Sequence, residues 1–122
     1  MVKFYKCMHC GNVVVKVTDK GVPVVCCGEK MQELVANTTD AAVEKHVPVV
    51  TKKGGEVSVD VGSTAHPMTE EHSIEWIALV SEDRCMIQYL QPGQPPTATF
   101  AGAGQDYTVY AYCNLHGLWA DH

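Results

Sequence analysis

Four cysteines near the amino terminus have the type and spacing of metal ligands. They form a C-x-x-C pair, Cys7 and Cys10, followed by the adjacent pair Cys26 and Cys27. A C-x-x-C turn points both sulfurs at one centre, and four thiolates suit tetrahedral zinc or iron. Disulfides are the weaker interpretation, because adjacent cysteines cannot bridge each other without strain. From these residues alone, zinc is the favoured metal ahead of iron, and the site would be a zinc ribbon that only stabilises the fold.

A second group combines one thiol with four imidazoles. Cys113 and His116 share a C-x-x-H loop, and three further histidines lie upstream at the edges of predicted elements: His46, His66 and His72. None of the three falls on an apolar stripe, which disfavours a core role. Two kinds of site fit: blue copper with an axial methionine, or non-haem iron with four imidazoles, one thiolate and an open position. No methionine follows His116, which counts against copper.

The composition excludes several classes of function. The chain has 122 residues, six Cys, six His and a formal charge of −5. An acidic chain lacks the basic face that nucleic-acid binding requires, so we expect no nucleic-acid partner. No run approaches the roughly 18 apolar residues of a membrane span, and no apolar signal region begins the chain. We therefore expect no membrane partner and a reducing, cytoplasmic location, where clustered thiols bind metal more often than they form disulfides.

Charge and cysteine content both change near Ala36-Asn37. Residues 1–36 carry five basic and three acidic groups, whereas residues 37–122 carry four basic and eleven acidic groups. Four of the six cysteines also precede residue 28. We therefore expect a small metal-binding domain over 1–36 and a second domain over 37–122. A unit below about 40 residues rarely folds unaided, so the first domain needs its metal.

The elements that must position these residues are short strands. The small domain is expected to contain strands at 3–6 and 13–17, and a brief helix at 41–45 is expected to follow an N-cap within 37–40. Pro48 then begins an extended stretch. The remaining strands are predicted at 56–61, 74–80, 85–90, 97–100 and 107–113. Several short strands separated by turns predict an all-β protein with a β-sandwich or barrel. Cys85 is expected to be a small buried residue on a strand.

Both groups of candidate ligands resemble those of known families. Residues 5–12 (YKCMHCGN) and 25–28 (VCCG) are similar to desulforedoxin, a rubredoxin-like unit whose second cysteine pair is adjacent. The resemblance implies a single iron held by Cys7, Cys10, Cys26 and Cys27. The rest of the chain resembles the superoxide reductase family in four segments: DAAVEKHVP at 40–48, AHPM at 65–68, HSIEW at 72–76 and YCNLHGLW at 112–119.

Together the two matches cover nearly the whole chain and resemble desulfoferrodoxin, the two-iron class of superoxide reductases. The resemblance implies a rubredoxin-like or desulforedoxin-like domain followed by an immunoglobulin-like β-sandwich. It implies one-electron reduction of superoxide to hydrogen peroxide, a defence against oxidative stress in anaerobes. Rubredoxin or a similar protein is the expected electron donor, and a homodimer is the expected assembly.

The resemblance also implies a role for each residue of the second site. The equatorial ligands of the second iron are His46, His66, His72 and His116, and Cys113 is its axial thiolate. Lys45 attracts the anion, and Glu44 is a sixth ligand of the ferric resting state. Two other functions remain open: a non-catalytic two-iron electron carrier, and a zinc-ribbon interaction module on an inert sandwich. No role is assigned to three residues: Cys85, His9 and His122.

Overall fold

In the computed structural model, the chain forms antiparallel β-strands and a single turn of helix. The structure describes residues 2–121, and His122 therefore lies outside the described residues. The chain divides into two compact units, Met1–Val35 and Ala36–His122. Among the described residues, no helix is long and apolar enough to span a membrane.

The first unit is built on a three-stranded antiparallel sheet with β1 at its centre. Its strands are β1 (Lys3–Lys6), β2 (Val13–Lys16), β3 (Val25–Cys26), β4 (Glu29–Lys30) and β5 (Gln32–Glu33). β2 and β5 flank β1, and β3 pairs with β4 to carry the second cysteine pair. Phe4, Cys7 and Met31 are its buried hydrophobic residues among those described. So small a core matches the expectation that this unit needs a metal for stability.

The second unit is a β-sandwich, which confirms the expected fold class. After helix α1 (Val43–His46), its strands are β6 (Pro48–Lys53), β7 (Glu56–Val61), β8 (Ile74–Val80), β9 (Cys85–Tyr89), β10 (Thr97–Ala101), β11 (Thr108–Cys113) and β12 (Gly117–Ala120). One sheet has the strand order β10-β7-β6 and the other the order β12-β11-β8-β9. All pairs are antiparallel.

The core lies between the two sheets and reaches the end of the sandwich that carries the candidate ligands. On β7, buried Val57, Val59 and Val61 alternate with more exposed positions, as expected for a strand with one buried face. Cys113, the last residue of β11, belongs to the same core cluster. The pairing of β11 with β8 shifts register between Tyr112 and Cys113. Such irregularities re-aim side chains beside functional sites.

The structure corrects two predictions about local environment. Helix α1 begins at Val43, and its N-cap is Ala42 with no side-chain capping bond, so the expected N-cap within 37–40 is wrong. Asn37 instead exchanges hydrogen bonds with the backbone of Ala120. Cys85 does begin a strand, but it is exposed, because β9 is the edge strand of its sheet. Its predicted burial is therefore wrong.

Gly62 permits a close approach between the segment after β7 and helix α1. A Cβ at this position would lie 2.6 Å from the carbonyl oxygen of Glu44 and 3.0 Å from the backbone of both Lys45 and Val47. Each of these neighbours is backbone, which cannot move aside as a flexible side chain can. The packing of helix α1 thus depends on the absence of a side chain at residue 62.

We predict that Gly62→Ala destabilises the protein, because the added methyl group overpacks this contact at a cost of about 1–3 kcal/mol. Urea unfolding of the variant and the parent protein measures the change in free energy of unfolding. The matched control is Gly55→Ala, since a Cβ at Gly55 meets nothing within 4 Å. Equal stability of the two variants would contradict the packing argument.

Candidate metal centres

The four cysteines of the first unit converge on one point. Their ligand atoms all lie within 4.8 Å of one another. The Sγ atom of Cys26 lies 3.6 Å from that of Cys10 and 4.0 Å from that of Cys27. Thiolates on a tetrahedral metal at about 2.3 Å are separated by about 3.8 Å, so the spacing fits a four-thiolate centre. All four are free cysteines.

A tight backbone turn holds the first cysteine pair. The amide of Cys7 donates to the carbonyl of Asn12 at 2.8 Å, and the amide of Gly11 donates back to the carbonyl of Cys7 at 2.9 Å. Gly11 has a φ of 85°, a left-handed conformation that glycine adopts without strain. Within the turn, the Cys10 amide donates to Cys7 Sγ at 3.4 Å. The side chain of His9 is exposed and is not one of the four donors.

The thiols differ in how readily they ionise. The backbone amides of Cys10 and His9 hold the pKa of Cys7 down to about 6. The neighbouring thiols of Cys10 and Cys7 instead raise the pKa of Cys27 to about 12. Hydrogen bonding to these neighbours keeps the Cys27 thiol protonated, so the four thiols do not all ionise together. A bound cation removes this restriction, because it favours the thiolate form of every ligand.

The five predicted donors of the second unit also come together. Ligand atoms of His46, His72, Cys113 and His116 all lie within 4.8 Å of one another. His66 joins them through its Nε2, which lies 3.2 Å from Nε2 of His46. These residues come from helix α1, the single segment between β7 and β8, the end of β11 and the turn into β12.

The four imidazoles are arranged as a square. Around the ring from His46 through His66, His72 and His116, successive centroids are 4.7, 4.6, 5.1 and 4.9 Å apart. The diagonal from His46 to His72 is longer, at 6.3 Å. The His46 Nε2 atom lies 3.0 Å from His116 Nδ1. Adjacent nitrogens at about 2.1 Å from one metal are separated by about 3.0 Å, so the square fits four ligands of one ion.

Backbone carbonyls select the tautomer of two of these rings. His46 Nδ1–H donates to the carbonyl of Ala42 and His66 Nδ1–H to that of Pro67, both at 2.7 Å. A carbonyl only accepts, so each ring must carry its proton on Nδ1 and present a lone pair on Nε2. Among the described residues, the buried Nε2 of His72 has no hydrogen-bond partner. A metal ion accounts for such a buried orphan atom, which otherwise costs about 1–3 kcal/mol.

Burial sets the ionisation of the second group. It lowers the pKa of His66 to about 4 and also lowers the pKa of His46 and of His72. These imidazoles are therefore neutral near pH 7, the form that binds metal. Burial raises the pKa of Cys113, whose thiol is 0% exposed. A buried thiolate here requires a cation beside it.

Trp119 packs against this site, and the sequence alone did not predict its contacts with His46 and His116. Its ring stacks on that of His46, with centroids 4.8 Å apart and an interplanar angle of 28°. Its Nε1–H donates to the carbonyl of His116 at 3.0 Å. One buried side chain thus contacts two of the candidate ligands.

Glu44 and Lys45 lie on helix α1 with exposed side chains, whereas the adjacent His46 is buried. The Glu44 carbonyl accepts hydrogen bonds from the Thr64 amide at 2.8 Å and from the Ser63 hydroxyl at 3.2 Å. After burial, the charge of Lys45 is among the causes that lower the pKa of both His46 and His72. The opposite charge of Glu44 raises the pKa of His46 and ranks ahead of the effect of Lys45 there.

A solved structure and two curated proteins are similar to this chain over most of its length. The superoxide reductase from Treponema pallidum superposes with a TM-score of 0.79 at 37% identity, covering 98% of both chains. The chain is 50% identical over 115 residues to the desulfoferrodoxin of Clostridium acetobutylicum, covering 94% of this chain and 91% of that protein. It is 47% identical over 116 residues to that of Desulfarculus baarsii, with coverage of 94% and 91%.

Family models account for both units. The model described as desulfoferrodoxin matches residues 38–122, and the model of the desulfoferrodoxin N-terminal domain matches residues 1–34. These matches confirm the resemblance found in the sequence, and each matched region contains one of the two candidate metal centres. The chain therefore belongs to the desulfoferrodoxin family.

Proposed function

We propose that this protein is a superoxide reductase, which reduces superoxide by one electron to hydrogen peroxide. The observation that carries the proposal is the square of four imidazoles with the buried Cys113 thiol at the same point. It is supported by the likeness to the Treponema pallidum superoxide reductase over 98% of both chains. The reaction consumes one electron and two protons for each superoxide converted to hydrogen peroxide.

The proposed ligands divide into two iron centres. The first set is Cys7, Cys10, Cys26 and Cys27, and the second is His46, His66, His72, His116 and Cys113. Iron at the second centre, when bound, supplies the electron and an open position for a small anion. The protein supplies neutral imidazoles with their lone pairs directed inward. It also excludes water from the thiolate, since Cys113 is 0% exposed.

Lys45 is proposed to attract superoxide. Residues 37–122 carry four basic and eleven acidic groups, so their overall charge repels an anion. Exposed charges more than about 8 Å apart are largely screened at physiological salt, and a cation beside the site therefore outweighs distant carboxylates. Lys45 is proposed as that cation: its charge contributes to the lowered pKa of His46 and His72, while the adjacent Glu44 raises the pKa of His46.

Glu44 is proposed as an oxygen ligand of the oxidised metal. Its exposed side chain precedes Lys45 on the same helical turn, and its carbonyl is anchored by Ser63 and Thr64. The backbone is thus held in place while the carboxylate stays free to approach or leave the site.

The remaining assignments extend the same proposal. Residues 1–36 form an iron domain with an electron-relay or structural role, and residues 37–122 form the catalytic domain. Exposed Cys10 and Cys27 support a relay, because they bring the sulfur edge of the first centre to solvent. We further propose a rubredoxin-like donor, a homodimer and a cytoplasmic location, in keeping with free cysteines throughout.

The yield of peroxide separates this function from the alternatives. A reductase supplied with electrons forms as much hydrogen peroxide as the superoxide it consumes, whereas dismutation gives half that yield. A non-catalytic electron carrier gives no catalysed turnover, and a zinc-ribbon module contains zinc in place of iron. We expect two irons per chain and the full peroxide yield. A half yield, or zinc alone, would overturn the proposed function.

We predict that Lys45→Ala slows the reaction with superoxide by about 10-fold or more and weakens its dependence on ionic strength. The iron absorption spectrum is expected to stay nearly unchanged, because Lys45 is not a proposed ligand. Pulse radiolysis at several salt concentrations measures the second-order rate constant. The matched control is Lys53→Ala, which removes an exposed lysine about 16 Å along β6 from Pro48. A Lys45→Ala rate equal to that of the control would exclude the steering role.

We also predict that Cys10→Ser abolishes iron binding at the first centre but leaves superoxide reduction at the second. The reason is that Cys10 supplies one of four thiolates to the first centre and none of the donors of the second. Iron content should fall from two to one per chain, with loss of the four-thiolate absorption. Loss of the superoxide reaction together with that absorption would contradict the division of roles.

A further inference from the structure

His72 differs from His46 and His66 in the contacts that orient its ring. The rings of His46 and His66 are each fixed by a hydrogen bond from Nδ1 to a carbonyl. The Nε2 of His72 is buried without a hydrogen-bond partner in the part of the chain that the structure describes. Its direction therefore depends on packing against the rings of His66 and His116 and on the backbone that carries it.

The side chain of Asn114 holds that backbone on both sides of His72. Its Nδ2 donates to the carbonyl of Glu71 at 2.9 Å, and its Oδ1 accepts from the amide of Ser73 at 3.0 Å. The Asn114 amide also donates to the carbonyl of Ser73 at 3.2 Å. Because one carboxamide contacts the residues immediately before and after His72, it restrains rotation of the backbone between them.

A local turn completes this restraint. The His72 amide donates to Thr69 Oγ1 at 3.1 Å, and the Thr69 amide donates to the His72 carbonyl at 3.0 Å. The turn fixes the segment internally, and the pairing of Ile74 with Cys113 at the end of the β8–β11 ladder joins it to the site. Asn114, which directly follows Cys113 in the chain, extends this connection to the residues on both sides of His72.

We propose that Asn114 is a positioning residue that sets His72 relative to the Cys113 thiolate. This inference rests on the second metal centre of the proposed function. The imidazole and the thiolate come from separate segments, 69–73 and the end of β11, and the three hydrogen bonds of Asn114 join these segments. Partners beyond the direct ligands orient those ligands, and their loss typically costs 10–100-fold in metal affinity or activity.

The chemistry requires asparagine because the two flanks of His72 present opposite groups. Glu71 offers a carbonyl, which needs a donor, and Ser73 offers an amide, which needs an acceptor. A carboxamide provides both, whereas aspartate loses the donor and places a charged oxygen against the Glu71 carbonyl. Leucine has a similar shape and provides neither group.

The test uses the iron-loaded full-length chain with Asn114→Asp and Asn114→Leu. We expect both variants to lose iron from the histidine–cysteine centre to a competing chelator about 10-fold or more faster than the parent. We also expect a shifted thiolate-to-iron absorption band from that centre. The aspartate variant tests loss of the donor, and the uncharged leucine variant separates that loss from an effect of added charge. The four-thiolate centre of the same chain serves as an internal reference, and its absorption and rate of iron loss should not change.

The matched control is Asn37→Asp. Asn37 also bonds backbone through its side-chain amide, donating to the Ala120 carbonyl at 3.3 Å and accepting from the Ala120 amide at 2.9 Å. A variant there loses an equivalent donor away from His72, so stability should fall without a change in the absorption band. If both Asn114 variants keep the parent band and rate of iron loss, or match Asn37→Asp in both, the positioning role is wrong. Failure of the parent protein to reduce superoxide would instead overturn the proposed function. The rate of iron loss to the chelator would still show whether Asn114 positions His72.

Discussion

Two sets of electron-rich donor atoms are held at separations that suit a shared cation. The Nδ1 protons of His46 and His66 are committed to carbonyls, so the Nε2 atoms of these rings face each other as lone pairs at 3.2 Å. The thiols of the first unit do not all ionise without a cation, since the pKa of Cys27 is raised to about 12 by its neighbours Cys10 and Cys7. In both units the fold assembles a donor set whose stability depends on a metal ion.

The scaffold of the second unit is arranged to impose this convergence. Cys113 ends β11 within the hydrophobic core, and the register shift there turns the last residue of the strand toward the site. Gly62 lets helix α1 approach the segment that leads to His66, and Trp119 packs against His46 from β12. The packing of the core and the placement of the donor atoms therefore depend on each other, because the same close contacts between backbone segments determine both.

Sequence patterns predicted the elements whose signals are local. β1, β7 and β8 have the predicted bounds, since alternating or continuous apolar runs specify strands directly. β12 and the two-residue strands β3, β4 and β5 were not predicted, because pairing alone makes such short segments into strands. The expected cap failed for a related reason: Asn37 finds its partner in Ala120, 83 residues away. Residue types and spacing indicated the candidate donors, but the carbonyls and the carboxamide that orient them come from contacts between distant segments.

The cysteine sulfurs differ in exposure between the two centres, which suits the proposed exchange of electrons at the first centre and of a small anion at the second. In the first unit Cys10 and Cys27 are exposed, which suits the proposed passage of an electron through the sulfur edge to or from a partner protein. In the second unit the thiol of Cys113 is 0% exposed, while Glu44 and Lys45 present charges on the open side of the helix. Under the proposed function, a small anion approaches from the side with the cation, and the burial of Cys113 keeps water from the thiolate. This division allows an acidic chain to admit an anion, because a nearby charge is screened far less than the distant carboxylates.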